Sequence, residues 1–97
     1  MIARALSPNW IQIIVTEEAW QQSLVAYPDL ELEDVVDAID KPDNVYRGND
    51  DRLYSVKKLT EGKYLIAIYT ESPEGGEFLN AIFSTKARTP QMKELTF

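Results

Sequence analysis

The chain has 97 residues, enough for one domain over residues 1–97, with 44% apolar residues and a formal net charge of −6. This composition is typical of a globular protein and excludes a disordered chain. Cysteine and histidine are both absent, which excludes disulfides, thiolate metal sites and a Ser–His or Cys–His nucleophile.

The first two predicted elements are a strand and a helix. Asn9–Val15 is rich in β-forming residues and predicts a strand. Thr16 suits a helix N-cap, and the acidic residues after it favour the positive end of a helix dipole. A first helix is therefore predicted over Glu17–Ala26, and Pro28 ends it.

A second helix is predicted from Asp29 or Leu30 to Pro42. Its apolar residues recur at helical spacing, with acidic residues on the other side. These apolar residues are Leu32, Val35, Val36 and Ile39.

The second half of the chain predicts four strands separated by turn residues. They are Asn44–Arg47, Arg52–Leu59, Lys63–Thr70 and Glu77–Ser84. The last is nearly all apolar, which predicts a central position buried on both faces. The polar tail Thr85–Phe97 is expected to form an edge segment or a short helix.

These elements predict an α+β domain, with two N-terminal helices packed on a curved antiparallel sheet of four or five strands. No apolar run approaches the ~18 residues of a membrane-spanning helix, and the N-terminus has no long apolar core typical of a secretory leader. The expected location is the cytoplasm, with no membrane partner.

The charges are unevenly distributed. Residues 1–51 hold eleven acidic and three basic residues, a balance of −8, whereas residues 52–97 hold five and seven, a balance of +2. This asymmetry favours a locally basic face on an acidic protein. The alternative is that lysines on strand edges only prevent aggregation.

No cofactor is expected, because neither the acidic second helix nor Asp50-Asp51 has a known metal-binding spacing. Metal-independent phosphate chemistry needs only cations near a phosphate and a proton donor near the reacting oxygens. Arg47, Arg52, Lys57 and Tyr54 have suitable side chains. Strand alternation puts Arg52 and Tyr54 on one face and Lys57 on the other. The face away from the helices is expected to bind RNA, unless the tyrosines are half-buried strand residues and the bases are merely solvated.

Several segments, in this order, resemble a known superfamily. They are Tyr27-Pro28-Asp29-Leu30, Ile39-Asp40-Lys41-Pro42-Asp43-Asn44-Val45-Tyr46, Tyr54-Ser55-Val56-Lys57, Lys63-Tyr64-Leu65-Ile66-Ala67-Ile68-Tyr69 and Leu79-Asn80-Ala81. Together they are similar to the barnase–EndoU–colicin–RelE-like nucleases, which include BrnT-type toxins. The resemblance implies a curved antiparallel sheet, a metal-independent ribonuclease activity and an antitoxin-like partner.

The chain departs from this family at expected site positions. Tyr27 stands where a histidine is expected, and Asn80 and Ile82 stand where a threonine and a tyrosine are expected. Without an imidazole the site lacks the usual proton shuttle near neutral pH, and Tyr27 is a poor base because its ordinary pKa is about 10.

Two hypotheses therefore remain. The first is a toxin-like ribonuclease, or a catalytically reduced relative that still binds RNA, with a site formed by Arg47, Arg52, Lys57, Tyr54 and Tyr27. The second is a non-enzymatic interaction module that binds another protein, or a second copy of itself as a homodimer, through its acidic helices or an exposed sheet edge.

Overall fold

The computed structural model describes residues 1–48 and 51–86 and the backbone of residues 92–94. Two helices and seven strands lie in these ranges. In chain order they are β1 (Ala3–Leu6), β2 (Gln12–Val15), α1 (Glu17–Ala26), α2 (Leu32–Asp40), β3 (Asn44–Gly48), β4 (Leu53–Thr60), β5 (Lys63–Ser72), β6 (Gly75–Ser84) and β7 (Met92–Glu94). The α+β class is as predicted. Neither helix has the length and apolar character needed to cross a bilayer.

The strands form one sheet in the order β1-β2-β6-β5-β4-β3-β7. All neighbours are antiparallel except β2 and β6, which are parallel. β6 has the predicted interior position, but the strand with consecutive fully buried residues is β5, at Leu65, Ile66 and Ala67. The edge segment predicted in the tail is present as β7. Residues 87–91 and 95–97 lie outside the described residues.

Three details of the predicted fold are wrong. The sheet has seven strands rather than four or five, it is mixed rather than antiparallel, and two strands precede the helices. The predicted strand Asn9–Val15 is shorter, because a tight turn occupies its first residues. β1 has the sequence Ala-Arg-Ala-Leu, which contains no β-branched or aromatic residue and so has no strand signal.

Helix α1 begins and ends where the sequence predicts. The Thr16 hydroxyl accepts a hydrogen bond from the Ala19 N–H at 3.2 Å, which satisfies one of the free donors of the first turn. Ser23, in the middle of the helix, is fully buried. Its hydroxyl lies 2.9 Å from the Ala19 carbonyl oxygen and 3.1 Å from Asn80 Oδ1, so it ties α1 to β6.

Both helices pack on one face of the sheet. α1 contacts β6, whereas α2 contacts β1, β5 and β4, so the sheet curls around α2. The main core lies between these layers. Its largest fully buried side chains include Tyr69, Phe78, Ile13, Ile39 and Leu65.

A second apolar cluster lies on the opposite, helix-free face. Tyr46, Val56 and Ile66 are buried there. Partly buried residues surround them, namely Tyr54, Tyr64, Ile68 and Ile82. The middle of this face is therefore packed rather than open.

Gly76 lies where β2 joins β6. A Cβ at this position would lie 2.5 Å from Ile13 Cδ1 and even closer to the Thr70 carbonyl oxygen. Since real Cβ atoms do not approach other atoms so closely, the parallel junction requires glycine here.

Candidate interaction surface

The alternation predicted along β4 is present, but it separates the expected site residues. Tyr54 belongs to the cluster on the helix-free face. Lys57 shares the helix-covered face with Ser55, whose hydroxyl donates to the Ala38 carbonyl oxygen at 2.7 Å. The Lys57 ammonium donates to the Lys41 carbonyl oxygen at 2.9 Å. Lys57 therefore caps the C-terminal end of α2, where a cation is favoured.

Arg47 and Arg52, the two arginines of the predicted site, lie near the loop that joins β3 to β4. Arg47 pairs with Leu53 across the strands. Its side chain therefore points to the same, helix-covered face of the sheet. It forms an ion pair with Asp51 at 3.5 Å, with half of its side chain exposed. Arg52 is exposed just before β4, and its carbonyl oxygen accepts from the Gly48 N–H at 2.7 Å. Arg52 also makes a further interaction.

Tyr27 lies on the helix-covered face, at the C-terminal end of α1. Its ring packs edge-to-face on Phe83, with 5.7 Å between centroids. The Lys63 ammonium lies 4.4 Å from the centroid of the same Phe83 ring, an arrangement that a cation–π attraction stabilises. Tyr27 is thus part of the packing between α1 and β6.

Lys57 and Arg47 do not lie on the helix-free face, which is the face that the sequence predicts to bind RNA. The two-residue period of a strand sends Lys57 to the face opposite Tyr54, and apolar residues fill the middle of the helix-free face. The structure therefore distributes the five predicted site residues over both faces of the sheet. Whether the chain has ribonuclease activity stays a prediction.

A different region stands out by its exposure. Six large apolar side chains of the described residues are well exposed, and all but Val25 belong to the first 14 residues. These five are Met1, Ile2, Leu6, Trp10 and Ile14. Trp10 is 81% exposed. We call Ile2, Leu6, Trp10 and Ile14 the hairpin surface, because they lie on or beside the β1–β2 hairpin.

Trp10 lies at the tip of this hairpin, in a backbone conformation that is unusual for its size. The Trp10 N–H donates to the Ser7 carbonyl oxygen, and the Ser7 N–H donates to the Ile11 carbonyl oxygen, both at 2.9 Å. Trp10 has a φ of 64°, in the left-handed region. A turn followed by one left-handed residue is a common three-residue hairpin loop, and glycine usually takes that last position.

Two carboxylates hold the tip in place. The Glu71 carboxylate accepts from the Ser7 hydroxyl and, at 3.1 Å, from the Asn9 amide. The Asp40 carboxylate accepts from the Leu6 N–H at 2.5 Å. Beside this contact lies a groove of about 310 Å³, lined by Leu6, Ser7, Pro8, Trp10, Asp40 and Lys41. The indole of Trp10 therefore projects from a fixed turn.

On the helix-free side, Ile14 borders an open crevice of about 600 Å³. Arg4, Ile14, Glu77 and Thr70 are in register across β1, β2, β6 and β5. Toward the hairpin tip, the Gly75-Gly76 backbone forms part of the lining. The crevice is lined by three glutamates and no basic residue, the glutamates being Glu71, Glu74 and Glu77. Within residues 1–48 and 51–86, no three acidic side chains lie close enough together to hold a metal ion.

Sequence reasoning missed this surface because Trp10 was assigned to a strand. The available signal was Ser7-Pro8-Asn9, since Ser-Pro and Asn favour turns. Comparison with protein-family models, with curated proteins and with solved structures finds no match.

Proposed function

We propose that this chain is a non-enzymatic protein-interaction module that contacts its partner through the hairpin surface. The observation that carries the proposal is the concentration of exposed large apolar side chains at Ile2, Leu6, Trp10 and Ile14. A single exposed apolar residue is ordinary, whereas several of them grouped on one hairpin are typical of an interface.

The geometry favours this function over catalysis. A phosphate-transfer site needs several donors aimed at one point, but the Lys57 ammonium donates to the end of α2 and Tyr27 packs on Phe83. The hairpin surface, in contrast, is already ordered by Glu71 and Asp40. An ordered surface loses little conformational entropy when it binds a partner.

Site-specific photo-crosslinking in cells tests the proposal. A photoreactive amino acid replaces Leu6 or Ile14 in two variants, and Val25 in a matched control, since Val25 is equally apolar and 85% exposed but lies on α1. We expect one discrete protein adduct from positions 6 and 14 and none from position 25. The adduct is identified by mass spectrometry and its complex is rebuilt from purified proteins.

Two results would contradict the proposal. One is the absence of a discrete adduct from positions 6 and 14, and the other is the same set of adducts from all three positions. An adduct with twice the mass of the chain would support the proposal and identify the partner as a second copy.

A further inference from the structure

We propose that Trp10 is the anchor of the hairpin surface and that its partner is a basic linear segment with an apolar side chain. This inference rests on the proposed function and specifies the chemistry of the partner. It is carried by the conformation of Trp10, by the rigidity of the tip and by the charges beside it.

The left-handed conformation at position 10 closes the β1–β2 hairpin, but a tryptophan there has no folding benefit in this structure. A left-handed φ is unfavourable for any residue with a Cβ and especially for a bulky one. At 81% exposure the indole recovers little burial energy in return. Residues that break a local rule without a structural gain are expected at functional sites.

Hydrogen bonds also fix the hairpin tip from which the Trp10 side chain projects. The Glu71 carboxylate holds Asn9, and the Asp40 carboxylate holds the backbone at Leu6. Tryptophan is enriched among the residues that dominate binding energy, and it is most effective when its surroundings are fixed before binding. The groove between Leu6 and Trp10 offers a place for an apolar side chain of the partner.

The charges beside the hairpin surface select a cationic partner. Glu71, Glu74 and Glu77 line the crevice that Ile14 borders. Two basic residues lie nearby. Arg4, on β1, is in register with Ile14 on β2, and Lys41 lines the groove beside Trp10. The Glu71 carboxylate already accepts from Ser7 and Asn9. In a chain of net charge −6, Glu74 and Glu77 are therefore the carboxylates that attract lysine or arginine and repel the phosphates of a nucleic acid.

Fluorescence anisotropy with three labelled 12-residue peptides tests this partner chemistry. The peptides contain Leu and Lys, Leu and Glu, or Ser and Lys, and they are measured at ~50 mM salt, where screening is weak. We expect the Leu/Lys peptide to bind and the other two to bind at least about tenfold more weakly, because each lacks one of the two required features.

Variants then locate the site. We expect Trp10→Ala to weaken binding of the Leu/Lys peptide about 30-fold, as for an anchor residue. The double variant Glu74→Gln with Glu77→Gln is expected to weaken it about tenfold and to reduce its salt dependence. Val25→Ala is the matched control and is expected to leave binding unchanged.

Trp10→Gly separates loss of binding from loss of folding. Because glycine tolerates the left-handed conformation, we expect this variant to unfold about 4 °C higher than the parent chain while binding the peptide as weakly as Trp10→Ala. A lower melting temperature would contradict the strain argument.

The inference is overturned if the Leu/Lys peptide does not bind at ~1 mM, if the Leu/Glu peptide binds equally well, or if Trp10→Ala has no effect. Tighter binding of a 12-nucleotide single-stranded RNA, or self-association of the chain that Trp10→Ala abolishes, would overturn it as well. An acidic partner, or a second copy of the chain, crosslinked at positions 6 and 14 would leave the proposed function standing and refute only the basic segment.

Discussion

Tyr69 is the largest fully buried side chain of the core, and its hydroxyl has no hydrogen-bond partner among the described residues. Burial raises the pKa of Tyr69 well above its ordinary value, and the nearby charge of Glu71 raises it further. The nearby Ser55 hydroxyl lowers this pKa, but it donates its hydrogen to the Ala38 carbonyl oxygen and lies outside hydrogen-bonding geometry with Tyr69. We therefore expect the Tyr69 hydroxyl to cost stability rather than to add to it.

We expect Tyr69→Phe to raise the free energy of unfolding by about 1 kcal/mol, because it removes a buried hydroxyl without a partner. Urea denaturation at pH 7 measures the change. The matched variant Ser55→Ala removes the hydrogen bond from Ser55 to the Ala38 carbonyl oxygen. It should lower the free energy of unfolding by about 1–3 kcal/mol. A destabilised Tyr69→Phe would mean that the hydroxyl has a partner.

The same residue gives the stability a dependence on alkaline pH. Above about pH 10 an ordinary tyrosine in the unfolded chain loses its proton, whereas Tyr69 in the folded protein keeps it. The unfolded state then binds fewer protons, so the free energy of unfolding falls as the pH rises. Tyr69→Phe should remove this part of the slope, and denaturation at pH 9, 10 and 11 measures it.

At the scale of single residues, the sequence predicts local roles better than it predicts the face that a side chain occupies. Thr16 caps α1 as expected because its role depends only on the next three residues. The alternation of Tyr54 and Lys57 was also predictable, but which of their faces the helices cover depends on the whole sheet. Lys57 was therefore assigned to a site rather than to the end of α2.

At the scale of elements, both helices could be predicted because their apolar spacing is a local signal. The start of α2 was placed at Asp29 or Leu30, whereas the helix begins at Leu32 after an N-cap residue that makes no side-chain capping bond. The parallel pairing of β2 with β6 joins segments about 60 residues apart along the chain, and no local pattern reports it. β1 was missed because Ala3–Leu6 contains no β-branched or aromatic residue. The sequence therefore leaves undetermined both the pairing of distant segments and the strands that lack β-forming residues.

Gly76 makes the β2–β6 junction testable. A Cβ there would meet the end of the Ile13 side chain and the backbone of Thr70, and the Thr70 backbone cannot move without disturbing the sheet. We expect Gly76→Ala to lower the free energy of unfolding by about 3 kcal/mol or more.

The control for this change is Gly62, in the turn between β4 and β5, where an added Cβ meets nothing within 4 Å. Gly62→Ala retains only the strain of its φ of 75° and should cost about 1 kcal/mol. Urea denaturation of the two variants compares them. Equal losses would mean that close packing does not hold the parallel pair together.

At the scale of the whole molecule, the net charge of −6 and the distribution of the bases decide the outcome of an RNA assay. We expect neither cleavage nor binding of single-stranded RNA at ~50 mM salt, where phosphate contacts are strongest. Lys57→Ala should reduce thermal stability, because it uncaps α2, and should change nothing in the RNA assay.

The ribonuclease hypothesis predicts the opposite result for both measurements. It requires cleavage by the parent chain that falls when Lys57 or Arg52 is replaced. Cleavage that survives repurification and is lost in Lys57→Ala would restore that hypothesis and contradict the assignment of Lys57 as a helix cap.

The contact between Asp40 and the Leu6 N–H has a consequence for assembly. β1 is an outer strand of the sheet, and free backbone donors on such a strand are a template on which further chains can polymerise into fibrils. Since the Asp40 carboxylate occupies one of these donors, an incoming chain meets a negative charge instead of a free N–H. This contact therefore removes one of the backbone donors through which copies of the chain could pair along β1.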